Sequence, residues 1–216
     1  MKHIVKGKEP KKWEEFRNTP GADYEPIHEL REALYDEQGG ICAYCMRRLF
    51  DEHDRQCRTR NKVEHMIPRE TCSDAQARMD YGNLVLCCDG TISGTSPNVT
   101  HCDTHKGSDL ISFKPTDEEF IKTLYYNSYG KILSSNSKFN EEINTVLNLN
   151  QERLVENRHA LIYQIIEWLK SNNPSVRDIQ RKIEFYKSRN RDGLYEPYCE
   201  AAIWRLTKSL KSKVKA

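Results

Sequence analysis

Cysteine spacing constrains this chain more than any other feature. Cys42 and Cys45 are separated by two residues, and Cys87, Cys88 and Cys102 follow downstream. A pair with this spacing lets two thiolates reach one ion from a tight turn, and a second pair completes a tetrahedral zinc site. We expect a structural zinc ion held by Cys42, Cys45, Cys88 and Cys102. Cys87 is the alternative to Cys88, because adjacent side chains point in different directions.

The composition predicts a soluble globular chain with a thin core. Of its 216 residues, 37% are hydrophobic and 31% are charged. No apolar run is long enough for a transmembrane helix, and the N-terminus lacks the apolar stretch of a signal peptide. We therefore expect a cytoplasmic protein, in which clustered cysteines bind metal rather than form disulfides. The other cysteines, Cys57, Cys72 and Cys199, are expected to be packing or surface thiols.

Charge is spread unevenly along the chain. The net charge is only +2, but residues 151–216 carry 14 Lys and Arg against 8 Asp and Glu. A basic C-terminal part is suited to contact with a phosphate backbone, although a solvated helical surface would have the same composition.

Hydrophobic periodicity predicts an α+β fold in four parts. Residues 1–25 look irregular, and residues 26–115 form the zinc-containing domain, with a helix from Pro26 to Gln38 and short strands near residues 63–68 and 83–88. Residues 116–136 are expected to form a β-hairpin with its turn at Asn127–Gly130. A capping box of Thr116 and Glu119 could instead start a helix there. Residues 137–216 are predicted to be predominantly helical, with helices around Leu154–Trp168, after Asn173-Pro174 and after Pro197.

Three motifs lie within the cysteine framework. They are Val63-Glu64-His65-Met66-Ile67-Pro68, Gly82-Asn83-Leu84-Val85-Leu86-Cys87-Cys88 and Cys102-Asp103-Thr104-His105-Lys106-Gly107. In this order, inside a zinc framework, they resemble the zinc-bearing HNH (ββα-metal) endonucleases. The resemblance implies a zinc-stabilised ββα core and metal-dependent hydrolysis of phosphodiester bonds.

The chemistry of such hydrolysis explains the residue types. His65 can accept a proton from water, because imidazole titrates near neutral pH. Glu64 can hold a hard divalent ion such as Mg²⁺ or Mn²⁺. The resemblance places the second ligand of this ion at Asp103, with His105 as the alternative ligand and a further catalytic candidate. A nitrogen ligand would move the preference towards Mn²⁺, Ni²⁺ or Zn²⁺.

Further residues are expected to support the reaction. Asn83 is expected to orient the loop that carries His65 by hydrogen bonds. Lys106 could contact a substrate phosphate, although a lysine on a helix surface is more simply solvated. Arg58, Arg60 and Lys62 belong to a basic segment that could bind the nucleic-acid backbone.

One feature departs from the HNH pattern. Common members of the family place two residues between the third and fourth cysteines, whereas this chain places thirteen, Asp89 to His101. Because of this longer segment, the family pattern does not decide the ligands that follow Cys88. The longer segment also predicts a loop between Cys88 and Cys102.

A closer resemblance covers most of the chain. Its residues are Glu37 to Cys45, Cys88-Asp-Gly90, His101-Cys102, Leu147-Asn-Leu-Asn150, Leu154 and Arg158. They are similar to the HNH subunits of Septu-type and retron-associated anti-phage systems. This resemblance implies an ATPase partner of the ABC/SMC-like class and a role in defence, with DNA as the expected substrate. An RNA-cleaving effector and a non-catalytic zinc-dependent binding module are the alternatives, and the Glu64-His65 pair argues against the second.

Overall fold

Short strands and helices alternate along the chain in an α+β arrangement. The structure, a computed structural model, describes residues 1–54, 61–91 and 99–215. Its helices are α1 (Lys11–Arg17), α2 (His28–Gln38), α3 (Ala75–Arg78), α4 (Cys102–Lys106), α5 (Glu118–Lys122), α6 (Ser137–Thr145), α7 (Glu152–Asn172), α8 (Val176–Lys187) and α9 (Cys199–Lys215). The strands are β1 (Lys62–His65), β2 (Leu84–Cys87), β3 (Leu124–Tyr126) and β4 (Ile132–Ser134).

Strands β1 and β2 form a two-stranded antiparallel sheet in the first part of the molecule. Glu64 lies opposite Val85, and His65 lies opposite Leu84. All four side chains of β2 are buried. At the outer edge of β2, the Gln38 side chain accepts a hydrogen bond from the Leu86 amide at 2.6 Å and donates one to the Leu86 carbonyl at 2.8 Å. The amide thus replaces a neighbouring strand, so the backbone groups of this buried edge are satisfied.

Helix α2 leads directly into the first cysteine pair. Leu30, Leu34 and Tyr35 are buried at helical spacing, as the periodicity predicts. Gly39 ends the helix in the left-handed conformation, and an added Cβ would lie only 2.5 Å from the Tyr195 ring. Glycine is therefore required there on both conformational and steric grounds.

The expectation that residues 1–25 are irregular is wrong for one stretch. Lys11–Arg17 form α1, in which the fully buried Trp13 donates a hydrogen bond from Nε1 to the Met79 carbonyl at 3.1 Å. Met1 and Ile4 are also buried in the main core. A short polar helix of this kind is stabilised by tertiary packing rather than by its own periodicity, so the sequence pattern does not reveal it.

Residues 116–136 contain both of the elements that the sequence left as alternatives. Helix α5 comes first, capped by Asp117 rather than Thr116. The hairpin β3–β4 follows, with Tyr126 opposite Ile132. In its turn, the Asn127 carboxamide accepts hydrogen bonds from the amides of Tyr129 and Lys131. The hairpin prediction is confirmed, although the strands are shorter because α5 takes the preceding residues.

The C-terminal part is helical, as predicted. Helix α7 buries Leu154, Ile162 and Ile165 along one face. Helix α8 begins after Ser175, which forms a capping box with Asp178, and α9 begins at Cys199, later than Pro197 suggested. A second core cluster joins α7, α8 and α9 through Ile165, Ile179, Ile183, Ala202 and Leu206. Among the described residues, no helix is both long and apolar enough to cross a membrane.

Candidate metal centre and adjoining pocket

Four cysteine side chains meet in the interior, and they are the predicted set. The Sγ atoms of Cys42, Cys45, Cys88 and Cys102 all lie within 4.8 Å of one another, and all four residues are buried. Cys42 and Cys102 are separated by 3.9 Å between Sγ atoms, and Cys45 and Cys88 by 3.8 Å. Thiolates on one tetrahedral zinc ion, with bonds of about 2.3 Å, lie about 3.8 Å apart. The cluster therefore fits a metal ion such as zinc.

The local backbone explains how these cysteines converge. Cys42 and Cys45 lie in a tight turn, closed by hydrogen bonds from the Cys42 amide to the Arg47 carbonyl and from the Met46 amide to the Cys42 carbonyl. Cys88 follows β2, and Cys102 begins α4. Cys87 is the last residue of β2 and is buried, but it is not a member of the four-sulfur cluster.

The thirteen residues between Cys88 and Cys102 form a loop whose two ends are joined by hydrogen bonds. Thr91 and Thr100 form an antiparallel bridge, and the His101 amide donates to the Gly90 carbonyl at 2.9 Å. Gly90 has a φ of +67°, and a Cβ there would lie 2.3 Å from the His101 carbonyl oxygen. This closure returns the chain to Cys102 beside Cys88, so the insertion leaves the four-cysteine arrangement intact. His101 is buried and places Nδ1 3.1 Å from the Cys102 sulfur.

Two carboxylates meet beside this cluster. Glu64 is buried on β1 and accepts hydrogen bonds at Oε1 from the Tyr44 hydroxyl at 3.0 Å and from Lys106 Nζ at 2.8 Å. Burial, together with the hydrogen bond and charge of Asp103, raises the pKa of Glu64 to about 8, while Lys106 opposes the shift. Asp103 itself lies 3.3 Å from Lys62 Nζ. The paired carboxyl groups form a site that a cation would stabilise.

His65 lines the same pocket as Glu64 and Asp103, and one of its ring nitrogens is already hydrogen-bonded. Its Nε2 atom lies 2.8 Å from the Arg78 carbonyl oxygen. A carbonyl oxygen only accepts, so Nε2 carries the proton in the neutral ring, and Nδ1 is left as the acceptor. Burial lowers the pKa of His65, with the positive charges of Arg69 and Lys106 adding to the effect, while the hydrogen bond to Arg78 opposes it. A neutral imidazole with a free Nδ1 is suited to accept a proton.

Asn83 holds the chain that follows His65. Its carboxamide oxygen accepts from the Ile67 amide at 2.8 Å, and its nitrogen donates to the Ile67 carbonyl at 3.0 Å. The Asn83 carbonyl also accepts from the Met66 amide. These contacts match the orienting role expected from the sequence.

An open pocket of about 410 Å³ collects these side chains. Among its lining residues are Tyr24, Arg31, Lys62, Glu64, His65, Arg69, Asp103 and Lys106. His105, expected as an alternative ligand and catalytic candidate, is not among the lining residues. It is exposed, and its Nδ1 lies 3.1 Å from the Thr100 hydroxyl. Asp103 and His105 project differently because α4 is a helix, in which residues two apart face different directions.

The structure also corrects the alternative in which Lys106 is a solvated surface lysine. Lys106 is only 2% exposed and ion-paired with Glu64. It is also one of the residues that line the pocket. Arg58 and Arg60 lie outside the described residues, whereas Lys62 lines the pocket.

Sequence reasoning missed three residues of this pocket. Tyr24 packs its ring edge against His65 with 4.4 Å between centroids, Arg31 comes from α2, and Arg69 follows the His65 strand. The available signal for Tyr24 was an aromatic residue in an otherwise polar N-terminal segment.

Comparison with known proteins adds no family assignment. No protein-family model matches the chain, and no curated protein matches it. The interpretation of the pocket therefore rests on its geometry and chemistry.

Proposed function

We propose that this chain is a metal-dependent endonuclease of the HNH type that hydrolyses phosphodiester bonds in DNA. One observation carries the proposal. A neutral histidine with a free Nδ1, a pair of carboxyl groups and two lysines line the same open pocket. This combination supplies a base, ligands for a cation and charge for a phosphate, the groups that metal-assisted phosphodiester hydrolysis requires.

His65 acts as the general base in this proposal. Its Nε2–H is held by the Arg78 carbonyl, so Nδ1 accepts the proton of the attacking water. Tyr24 packs against the ring, and Asn83 fixes the backbone after it. The base is therefore oriented before substrate binds, which reduces the entropic part of the barrier.

Glu64 and Asp103 are the proposed ligands of a catalytic cation. Two carboxylates are oxygen ligands, which favour Mg²⁺ or Mn²⁺ over softer ions. When bound, such an ion neutralises charge on the phosphate and on the leaving oxygen. Lys106 and Lys62 pair with these carboxylates in the structure, at 2.8 Å and 3.3 Å, and are placed to pair with a phosphate oxygen.

The cysteine cluster has a structural role in this proposal. Four thiolates fill the coordination sphere of zinc and leave no open position for substrate. The zinc site joins the turn after α2, the end of β2 and the start of α4, and thereby sets Asp103 and Lys106 against Glu64.

We also propose the biological setting that the sequence resemblance implies. The chain would be the nuclease subunit of an anti-phage defence complex controlled by an ABC/SMC-like ATPase. The basic C-terminal helices offer a surface for that partner or for nucleic acid.

A cleavage assay with a matched histidine pair tests the proposed activity. The zinc-loaded chain, alone and with its ATPase partner, is incubated with plasmid DNA and total RNA in Mg²⁺ or Mn²⁺. We expect His65→Ala to abolish cleavage, because the base is lost, and His159→Ala, an exposed residue of α7, to retain it. The degraded polymer identifies the substrate. If His65→Ala cleaves as fast as the wild type, the proposed chemistry is wrong.

A further inference from the structure

Tyr24 and Arg69 separate the site pocket from a second recess. This flanking recess has a volume of about 210 Å³ and is lined by Asp23, Tyr24, Arg69, Glu70 and Arg78. Tyr24, Arg69 and Glu70 also line the site pocket. A polymer bound at His65 can therefore continue past these residues into the flanking recess.

Arg69 differs from the other arginines around these two spaces. Arg78 is paired with Asp23 at 3.3 Å, and Arg31 donates to the Asn61 carbonyl at 2.7 Å. Arg69 is exposed, and within the described part of the chain its guanidinium contact is with the Tyr24 ring, 5.5 Å from the ring centroid. The donors of its guanidinium group thus remain available to a ligand. A guanidinium group with free donors is the side chain best matched to a phosphate.

Tyr24 is held firmly enough to position its neighbours. Its ring packs on His65 at 4.4 Å and on the buried Trp13 at 6.3 Å between centroids. Trp13 is fixed in turn by its hydrogen bond to the Met79 carbonyl. The Tyr24 ring therefore contacts both the proposed base and the guanidinium group of Arg69.

We propose that Arg69 binds the phosphate next to the scissile phosphodiester, and that Tyr24 is a positioning residue that orients Arg69 relative to His65. The proposal rests on the nuclease function proposed above. The bound strand runs from the site pocket across Tyr24 into the flanking recess. Arg69 contacts a phosphate that does not react, so it contributes to binding of the ground state and the transition state alike.

A binding assay without turnover tests the role of Arg69. The probe is a fluorescein-labelled 20-base-pair DNA duplex, titrated with His65→Ala protein in the absence of added divalent cation. Introducing Arg69→Gln into the His65→Ala protein is expected to weaken its binding to the duplex at least about tenfold, because a charge-assisted contact with a phosphate is lost. The slope of log K against log salt should fall in magnitude by about 0.9, the value for one phosphate contact. Lys131→Gln in the β3–β4 hairpin, an exposed basic residue outside both spaces, should change neither quantity.

A steady-state assay in the active protein tests the role of Tyr24. Tyr24→Leu should raise KM, because Arg69 loses the ring that orients it, and should also lower kcat, because His65 loses its packing partner. Tyr24→Phe keeps the ring and should retain the wild-type KM and kcat. A purely structural role would give equal KM values for both variants at temperatures where both are folded. That result would overturn the positioning role.

The outcomes separate this inference from the proposed function. If the chain cleaves DNA but Arg69→Gln binds the duplex as tightly as its parent, the phosphate role of Arg69 is overturned and the nuclease proposal stands. If Arg69→Gln weakens binding while no cleavage is found with any cation, Arg69 is a phosphate-binding residue and the catalytic proposal fails. Absence of duplex binding by the His65→Ala parent overturns the inference.

Discussion

At the scale of single residues, Tyr24 combines a functional position with a local energetic cost. Its hydroxyl is buried and has no hydrogen-bond partner among the described residues, and burial raises its pKa to about 12. Tyr81 offers a matched comparison, because its hydroxyl donates to the Glu37 carboxylate at 3.1 Å.

These two tyrosines should respond in opposite ways to loss of the hydroxyl. Tyr24→Phe removes an unsatisfied polar group and should raise the free energy of unfolding by about 1 kcal/mol. Tyr81→Phe removes one of two hydrogen bonds to Glu37 Oε2, which also accepts from the Gly7 amide, and should lower the free energy of unfolding by about 1 kcal/mol. Urea denaturation of both variants against the wild type gives the values. A destabilised Tyr24→Phe would mean that its hydroxyl has a partner after all.

The candidate site shows which residue-level features can be predicted from sequence. The proposed roles of Glu64, His65 and Asn83 were predicted from their chemistry within ordered motifs, and the hydrogen bonds of Asn83 to Ile67 agree with the prediction for that residue. The burial of Lys106 could not be predicted, because it depends on a partner 42 positions earlier on another element. Arg69 was missed because an arginine in a polar loop has the same sequence signature whether it is solvated or faces a site.

At the scale of elements, the cysteine cluster depends on the directions in which β2 and α4 present their side chains. Successive residues of a strand point to opposite sides, so Cys87 and Cys88 cannot both enter the cluster. Sequence alone left this choice open, and in the structure Cys88, which follows β2, is the member of the four-sulfur cluster.

Paired serine substitutions test this assignment. Cys88→Ser should lower the zinc content well below one ion per chain after brief treatment with a chelator, because a thiolate ligand is lost. Cys87→Ser, at a buried position outside the cluster, should retain one zinc ion per chain. Elemental analysis of the purified variants measures both. Loss of zinc from Cys87→Ser with retention by Cys88→Ser would reverse the assignment.

Helices with strong apolar periodicity were predicted well, whereas a helix that buries a single side chain was not. Helices α2, α7 and α8 carry buried residues at steps of three and four. Helix α1 buries only Trp13, so its pattern resembles that of a loop. Arg58 and Arg60, for which the sequence predicts contacts with the nucleic-acid backbone, lie outside the described residues.

At the scale of the whole molecule, the N- and C-terminal parts pack against each other and against the part that carries the four-cysteine cluster. The Tyr195 amide donates to the Gly39 carbonyl at 2.9 Å, and Lys2 pairs with Glu200 at 3.1 Å. Buried Arg158 on α7 donates to the carbonyls of Gly130 and Leu149. The Tyr195 contact and a hydrogen bond from the Tyr198 amide to the Met46 carbonyl at 3.1 Å join the segment before α9 to the turn that carries Cys42 and Cys45. Sequence periodicity predicted the helices but carries no information about such packing between distant segments.

The claim that unites these scales is that Glu64 and Asp103 together hold a divalent cation beside His65. The most direct measurement is isothermal titration of Mn²⁺ into the zinc-loaded chain and two variants. We predict one Mn²⁺ site per wild-type chain, lost in Asp103→Asn because an oxygen ligand loses its charge, and retained in His105→Ala, whose side chain lies outside the pocket. Retention of the site in Asp103→Asn, or its loss in His105→Ala, would contradict the account, as would the absence of Mn²⁺ binding by the wild type.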